Sequence, residues 1–252
     1  MRQLQILLIT LFLATACAPI TKPFSFNGDK KQKEEALQHA NILNNKGVNA
    51  YRNKQYKEAI NYYLQAISIK EKFLGTEHLS TATSYNNIGL IYKKTKEYNK
   101  ALAYLRKALS IREHSLGRRD GKTAESYNNL GTLYASMGET TKAIDLTRQT
   151  IDIKEKIIRK EKIDTAISYT NLAVLEEIQG QNALAIEHHK KALSINKEVF
   201  GEEHDVTQLN YKNIAQLYFA IQRYEEAKKF SSHITKPIDI QLEDIEVNES
   251  YQ

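Results

Sequence analysis

In the stretch SYNNIGLIY, residues 84 to 92, Tyr85, Ile88, Gly89 and Tyr92 fall at i, i+3, i+4 and i+7, the spacing of one apolar helix face. A second stripe follows through Tyr98, Ala101, Leu102, Leu105, Ala108, Leu109 and Ile111. Between them KKTKE breaks the period, so the pattern predicts two helices joined by a turn. The pattern then repeats. SYNNLGTLY at 126 to 134, SYTNLAVLE at 168 to 176 and NYKNIAQLY at 210 to 218 each begin 42 residues after the last, which places units at Ala40, Ala82, Ala124, Ala166 and Gln208. The prolines are Pro19, Pro23 and Pro237, so the whole interval between them lacks the residue that most reliably breaks helices.

Aligned on this period, the letters form columns. Ala59, Ala101, Ala143, Ala185 and Ala227 make one without exception, and Gly47, Gly89 and Gly131 make another that Ala173 and Ala215 complete. Small residues recur there because two helix backbones must approach closely. Gly138 and Gly180 sit at the turn inside a unit, and Gly75, Gly117 and Gly201 end the second helix, where a left-handed cap is expected. A hairpin this small cannot bury its own stripes. It must stack on its neighbours, which predicts an all-α helical-hairpin solenoid of about five repeats over residues 40–234.

These columns resemble the tetratricopeptide repeat, and the endings SIKEKFLGTEH, SIREHSLGRRD and SINKEVFGEEH resemble its kinesin-light-chain variety. The third unit departs most: TIDIKEKIIRKEKID lacks the closing glycine and histidine, and Thr150 stands where alanine is usual. In the fourth unit Glu176 takes an aromatic position.

One column is not explained by packing. Asn45, Asn87, Asn129, Asn171 and Asn213 lie off the apolar stripe, in helix interiors where Asn is unfavourable. The resemblance implies a groove lined by the first helices, in which such an Asn bonds the backbone of an extended peptide, a carboxamide offering donor and acceptor together. The alternative is that each Asn ties one unit to the next. By the same resemblance Asn44, Asn86, Asn128, Val48, Tyr51, Arg52, Leu90, Lys93 and Lys94 line the first units, and Thr170, Val174, Glu177 and Ile178 the fourth. A basic end beside a mixed one suits a protein or peptide partner carrying acidic and apolar residues.

Charge sharpens this. Residues 40–234 carry 30 basic against 22 acidic side chains, +8, whereas 235–252 hold Lys236 against Asp239, Glu243, Asp244, Glu246 and Glu249, −4. The tail, PIDIQLEDIEVNES, alternates Ile238, Ile240 and Leu242 with polar residues, which makes it either a plain acidic end or a competing ligand for the groove. The basic residues of the array are interleaved with acids along helix faces, unlike a nucleic-acid patch.

The N-terminus is a different kind of sequence. MRQ, the apolar run ILLITLFLA and the small residues before Cys17 read as an export signal over 1–16. LATAC resembles the lipobox of bacterial lipoproteins, which implies a lipid on Cys17, a tether over 17–39 and, with Ala18 next, delivery to the outer membrane. Several acyl chains hold firmly, at about 0.8 kcal/mol per buried CH₂. The rival reading is a structural assembly factor of an envelope complex, pairing through its convex face or chain ends with other components or with itself as a homo-oligomer.

Catalysis finds no constellation. GRRDGKT, 117 to 123, is too short for a Walker loop and no strand precedes it. His188 and His189 are adjacent and diverge by about 100° on a helix, so they do not chelate one metal. His78 and His204 share a loop column. The reading is a non-enzymatic scaffold without cofactor or metal.

Overall fold

The computed structural model describes residues 30–157 and 162–235. Helix α1, Lys30–Arg52, starts in one compact unit that ends at Ala36 and continues in a second that begins at Leu37; everything below belongs to the second. There follow α2 (Tyr56–Leu74), α3 (Leu79–Lys94), α4 (Tyr98–Leu116), α5 (Gly121–Ser136), α6 (Thr140–Ile157), α7 (Lys162–Ile178), α8 (Asn182–Phe200), α9 (Asp205–Ala220) and α10 (Tyr224–Ser231). The odd-numbered helices are the first helices of the five units and the even-numbered ones the second. From α2 onward each helix packs on the next in the chain, within a unit and across the joint to the following one, and α1 meets α2 where Gly47 faces Tyr63.

The small-residue column acts where expected, but unequally. A Cβ on Gly47 would stand 2.8 Å from the Tyr63 ring and one on Gly89 2.7 Å from Leu105, whereas one on Gly131 would meet nothing nearer than 3.4 Å. The alanine column is buried throughout. Gly75, Gly117 and Gly201 have φ of 93°, 86° and 86° with ψ near 165° to 173°. That is the extended, glycine-only region and not the left-handed helical cap expected, because the chain must leave the second helix straight to start the next unit. The turns within units do use left-handed residues, at Gly138 and Gly180 and, in the same column, at Lys54, Lys96 and Gln222.

Across each joint runs a polar seam that the stripes did not reveal. Lys70, 4% exposed, reaches the Ser80 carbonyl at 3.3 Å and Ser84 Oγ at 3.0 Å. One unit on, Arg112 donates to the Lys122 carbonyl and Ser126 Oγ at 2.8 Å each. Lys154 repeats this with Asp164 and Ser168, and at the last joint Asn196 donates to Asn210 Oδ1 at 2.7 Å. Burial lowers the Lys70 pKa. Beside each cation, Tyr85, Tyr127 and Tyr169 donate to Glu71, Glu113 and Glu155 of the preceding unit. Burial and the bonded carboxylate raise these hydroxyls, Tyr127 to about 12. At the last joint Lys197 occupies the glutamate column, and Tyr211 turns to Glu202 in the loop, at 2.5 Å.

The departures are absorbed locally. Thr150 is fully buried and its hydroxyl donates to the Leu146 carbonyl at 2.9 Å, so the extra polar atom is satisfied by its own helix. Gln208, the one unit-opening residue that is not alanine, donates to the carbonyls of Glu202 and His233 and accepts from the Thr235 amide at 2.8 Å. It thereby fixes the path of the chain after α10.

Candidate partner-binding face

The first helices each turn one side to the core and the other outward. The column of five asparagines straddles that boundary. Asn45 is exposed and Asn171 and Asn213 are half-buried, whereas Asn87 and Asn129 are 8% and 3% exposed. Asn129 Nδ2 donates to Asn86 Oδ1 of the preceding unit at 2.9 Å. Asn87 turns toward the buried Tyr63 hydroxyl, which finds no hydrogen bond of good geometry. Asn44 Oδ1 accepts from Ser84 Oγ at 3.2 Å, and Lys93 Nζ donates to Thr132 Oγ1 at 3.0 Å. Asn128 is half-buried, and Arg52 and Lys94 are exposed. Asn44, Asn86, Lys93 and Asn129 thus link neighbouring first helices in the first three units, whereas Asn171 and Asn213 in the fourth and fifth stay half-buried.

The fourth unit differs on both sides of its first helix. Outward, Ile163, Ile167, Val174 and Ile178 stand at i, i+4, i+11 and i+15 on α7, one stripe about 22 Å long at 1.5 Å per residue. Ile163 and Ile178 are 42% and 66% exposed, and Ile167 and Val174 half-buried. Thr170 and Asn171 lie along this same stripe. Two units earlier the same columns hold Leu79, Thr83, Leu90 and Lys94, and one unit earlier Gly121, Glu125, Thr132 and Ser136. Such an aliphatic row on the outward side of a helix is apolar surface of the kind that partners bury.

Inward, the same unit has lost apolar pairs. Tyr92 stacks on Tyr104 at 5.7 Å between ring centres and Tyr218 on Phe230 at 5.6 Å; the corresponding pair is Glu176 and His188. The Glu176 carboxylate is fully buried, 2.6 Å from His188 Nδ1 and 3.1 Å from Arg148. His189, where Leu105 stands in the second unit, is fully buried with neither ring nitrogen hydrogen-bonded. Burial, with the adjacent His188, lowers its pKa from 6.5 to about 4. Away from the asparagine column, a cleft of about 420 Å³ lies at the last joint, lined by Lys190, Leu193, Ser194, Lys197, Tyr211, Phe230 and His233.

The loop histidines prove to be helix caps. His78 Nδ1 accepts from the Ser80 amide at 3.1 Å and His204 Nδ1 from Val206 at 3.3 Å, the part Asp120 plays between them. Among the described residues no three His, Cys, Asp or Glu converge as a metal site, and no helix is long and apolar enough to cross a membrane. Cys17 and the acidic tail from Lys236 onward lie outside the described residues.

A sequence profile of the tetratricopeptide repeat family matches residues 38–114, 85–156 and 164–233. The chain is a tetratricopeptide repeat protein. The TPR array superimposes on kinesin light chain TPR-like repeats from Podosopora anserina with a TM-score of 0.69 and 22% identity, over 79% of this chain and 94% of that one. It is similar to BtubC from P. vanneervenii with a TM-score of 0.68 and 15% identity, over 81% and 87% of the two chains. Aspartyl phosphate phosphatase F from Bacillus subtilis matches with a TM-score of 0.65 and 16% identity, over 81% of this chain and 51% of that one. These likenesses show the fold. No curated protein matches the sequence.

TPR arrays mediate protein–protein interaction, and within this one the accessible asparagines and the aliphatic stripe meet on the fourth unit. The sequence pattern named Val174 and Ile178 there but missed Ile163 and Ile167. Their signal was available: all four lie on the side of the helical wheel away from Tyr169 and Leu172.

Proposed function

We propose that this protein is a non-enzymatic scaffold at the bacterial cell envelope, held to the outer membrane by a lipid on Cys17, that captures a partner protein through an extended segment. The segment lies on the face shared by the first helices. The observation that carries the reading is the exposed aliphatic stripe of α7 with Thr170 and Asn171 along it. The stripe supplies affinity through apolar burial, and the carboxamides of Asn45, Asn171 and Asn213 bond the partner backbone whatever its side chains. Asn129, bonded to Asn86, keeps the first helices of the second and third units in register, and Asn87 packs toward Tyr63. Arg52, Lys93 and Lys94 favour carboxylates at the partner's other end.

The test is crosslinked partner recovery from intact cells with two double variants, both checked for equal helicity. Asn171→Ala with Asn213→Ala should lose a specific partner that Asn87→Ala with Asn129→Ala retains. Equal recovery by both would remove the carboxamides from recognition.

A second reading, assembly through the chain end, draws on Phe219 and Tyr224, which are 65% and 56% exposed and pack edge to face at 5.3 Å. The same two columns hold Tyr51 and Tyr56, half-buried in the core of the first two units. Concentration-dependent sedimentation abolished by Phe219→Glu would favour it.

A further inference from the structure

Resting on the same face, the next question is what covers the α7 stripe when no partner is present. Four branched aliphatic side chains spaced along one helix are costly to leave in water. In each pair, Ile163 with Ile167 and Val174 with Ile178, the side chains are four residues apart, about 6 Å along the axis. An extended chain repeats its side chains on one face every two residues, about 6.7 Å. An extended chain with alternate aliphatic residues therefore matches either pair in spacing and in polarity, the two pairs being separated by about 10 Å of helix.

This chain carries such an alternation in its sequence. Ile238, Ile240 and Leu242 alternate along the segment that follows the last described residue, and Asp239, Glu243, Asp244, Glu246 and Glu249 make it acidic. Its origin is fixed, because Gln208 bonds the Thr235 amide and the His233 carbonyl beside the start of α9, the first helix next to α7. Extended chain from Thr235 reaches up to about 10 Å at Ile238 and about 24 Å at Leu242, so the three aliphatic side chains explore the surface beside the start of α9. Charge agrees in sign, the array bearing +8 and the tail −4.

We infer that residues 236–249 dock on the outward face of α7, with Ile238, Ile240 and Leu242 against its aliphatic stripe, as a resident ligand that an incoming partner must displace. Tethering gives the tail an effective concentration on the order of 1 mM, so even weak intrinsic affinity keeps the face covered and selects for partners that bind better.

The test uses the full chain in mild detergent and a fluorescent synthetic peptide of residues 236–252 as the probe, read by anisotropy. The wild-type chain should bind it at least about tenfold more weakly than a full-length variant with Ile238→Ser, Ile240→Ser and Leu242→Ser, whose own tail no longer competes. Adding Ile178→Asp to that variant should abolish binding; the side chain is 66% exposed, and unchanged helicity confirms the fold. Equal binding by the wild type and the tail variant, or binding indifferent to Ile178→Asp, would overturn the inference. The probe involves no cellular partner, so its failure leaves the scaffold reading standing, and loss of partner capture leaves tail docking standing.

Discussion

The second and fourth units share a backbone and differ in where they keep their apolar side chains. In the second unit Tyr92 stacks on Tyr104, Leu105 fills the space over Gly89, and the outward columns of α3 include Thr83 and Lys94. In the fourth, Glu176 and His188 replace the stacked pair, His189 replaces the leucine, and Ile163, Ile167, Val174 and Ile178 face out. Polarity has been partly exchanged between the inside and the outside of one unit. The lesson is that a repeat tolerates such an exchange because its neighbours hold it from both sides, the stability of the array being a sum of unit and joint terms. The fourth unit has polar side chains inside where the second has apolar ones, and exposes aliphatic surface outside.

The largest break of the comparison is by acid. His189 has a folded pKa of about 4 against 6.5 for the free side chain, so the unfolded chain binds the proton first. Stability is therefore full above pH 6.5, falls as pH drops through that window, and by pH 4 has lost about 3 kcal/mol from this group. Urea unfolding of the wild type and His189→Leu across this range should show that slope reduced in the variant; equal slopes would place the acid sensitivity elsewhere.

Next is the packing of the second unit. Gly89→Ala drives a methyl to 2.7 Å from Leu105 and should cost about 2 kcal/mol, while Gly131→Ala, whose nearest neighbour is at 3.4 Å, should cost little or gain from helix propensity. Comparable unfolding midpoints for the two variants would contradict the unequal spacing.

How much of this could be read from the letters alone divides along the same line. Columns with a repeating chemistry, such as Ala101 and its equivalents or Gly47 and Gly89, announced the paired helices because they serve the same contact in every unit. Lys70, Arg112 and Lys154 did not stand out, since a buried cation and an exposed one look identical until the Ser84, Ser126 and Ser168 hydroxyls beneath them are placed. The asparagine column does not serve one contact throughout: Asn129 donates its amide to Asn86, tying one unit to the next, while Asn45, at the same register, is exposed. A shared column guarantees a shared backbone position, but the partner depends on the next unit's side chain. The α7 stripe was hidden for a related reason, as it appears in one unit only and so forms no column.

Arg148→Ala tests the inner polarity of the fourth unit. It leaves the buried Glu176 carboxylate with His188 alone, and because Arg148 is half exposed the loss should be only about 1 kcal/mol. No change in the unfolding midpoint would show that His188 suffices. The smallest effect is expected at the turn of the second unit, where Lys96 has φ of 62°. Lys96→Gly should gain about 0.5 kcal/mol, a difference visible in the denaturation midpoint, since glycine takes that conformation without steric cost.

The most direct measurement of the central claim pairs stability with capture for one variant, Val174→Asp with Ile178→Asp. If the outward face of α7 binds the partner, the variant keeps the wild-type unfolding midpoint and loses the partner recovered by crosslinking from intact cells. Undiminished recovery at equal stability would contradict the account.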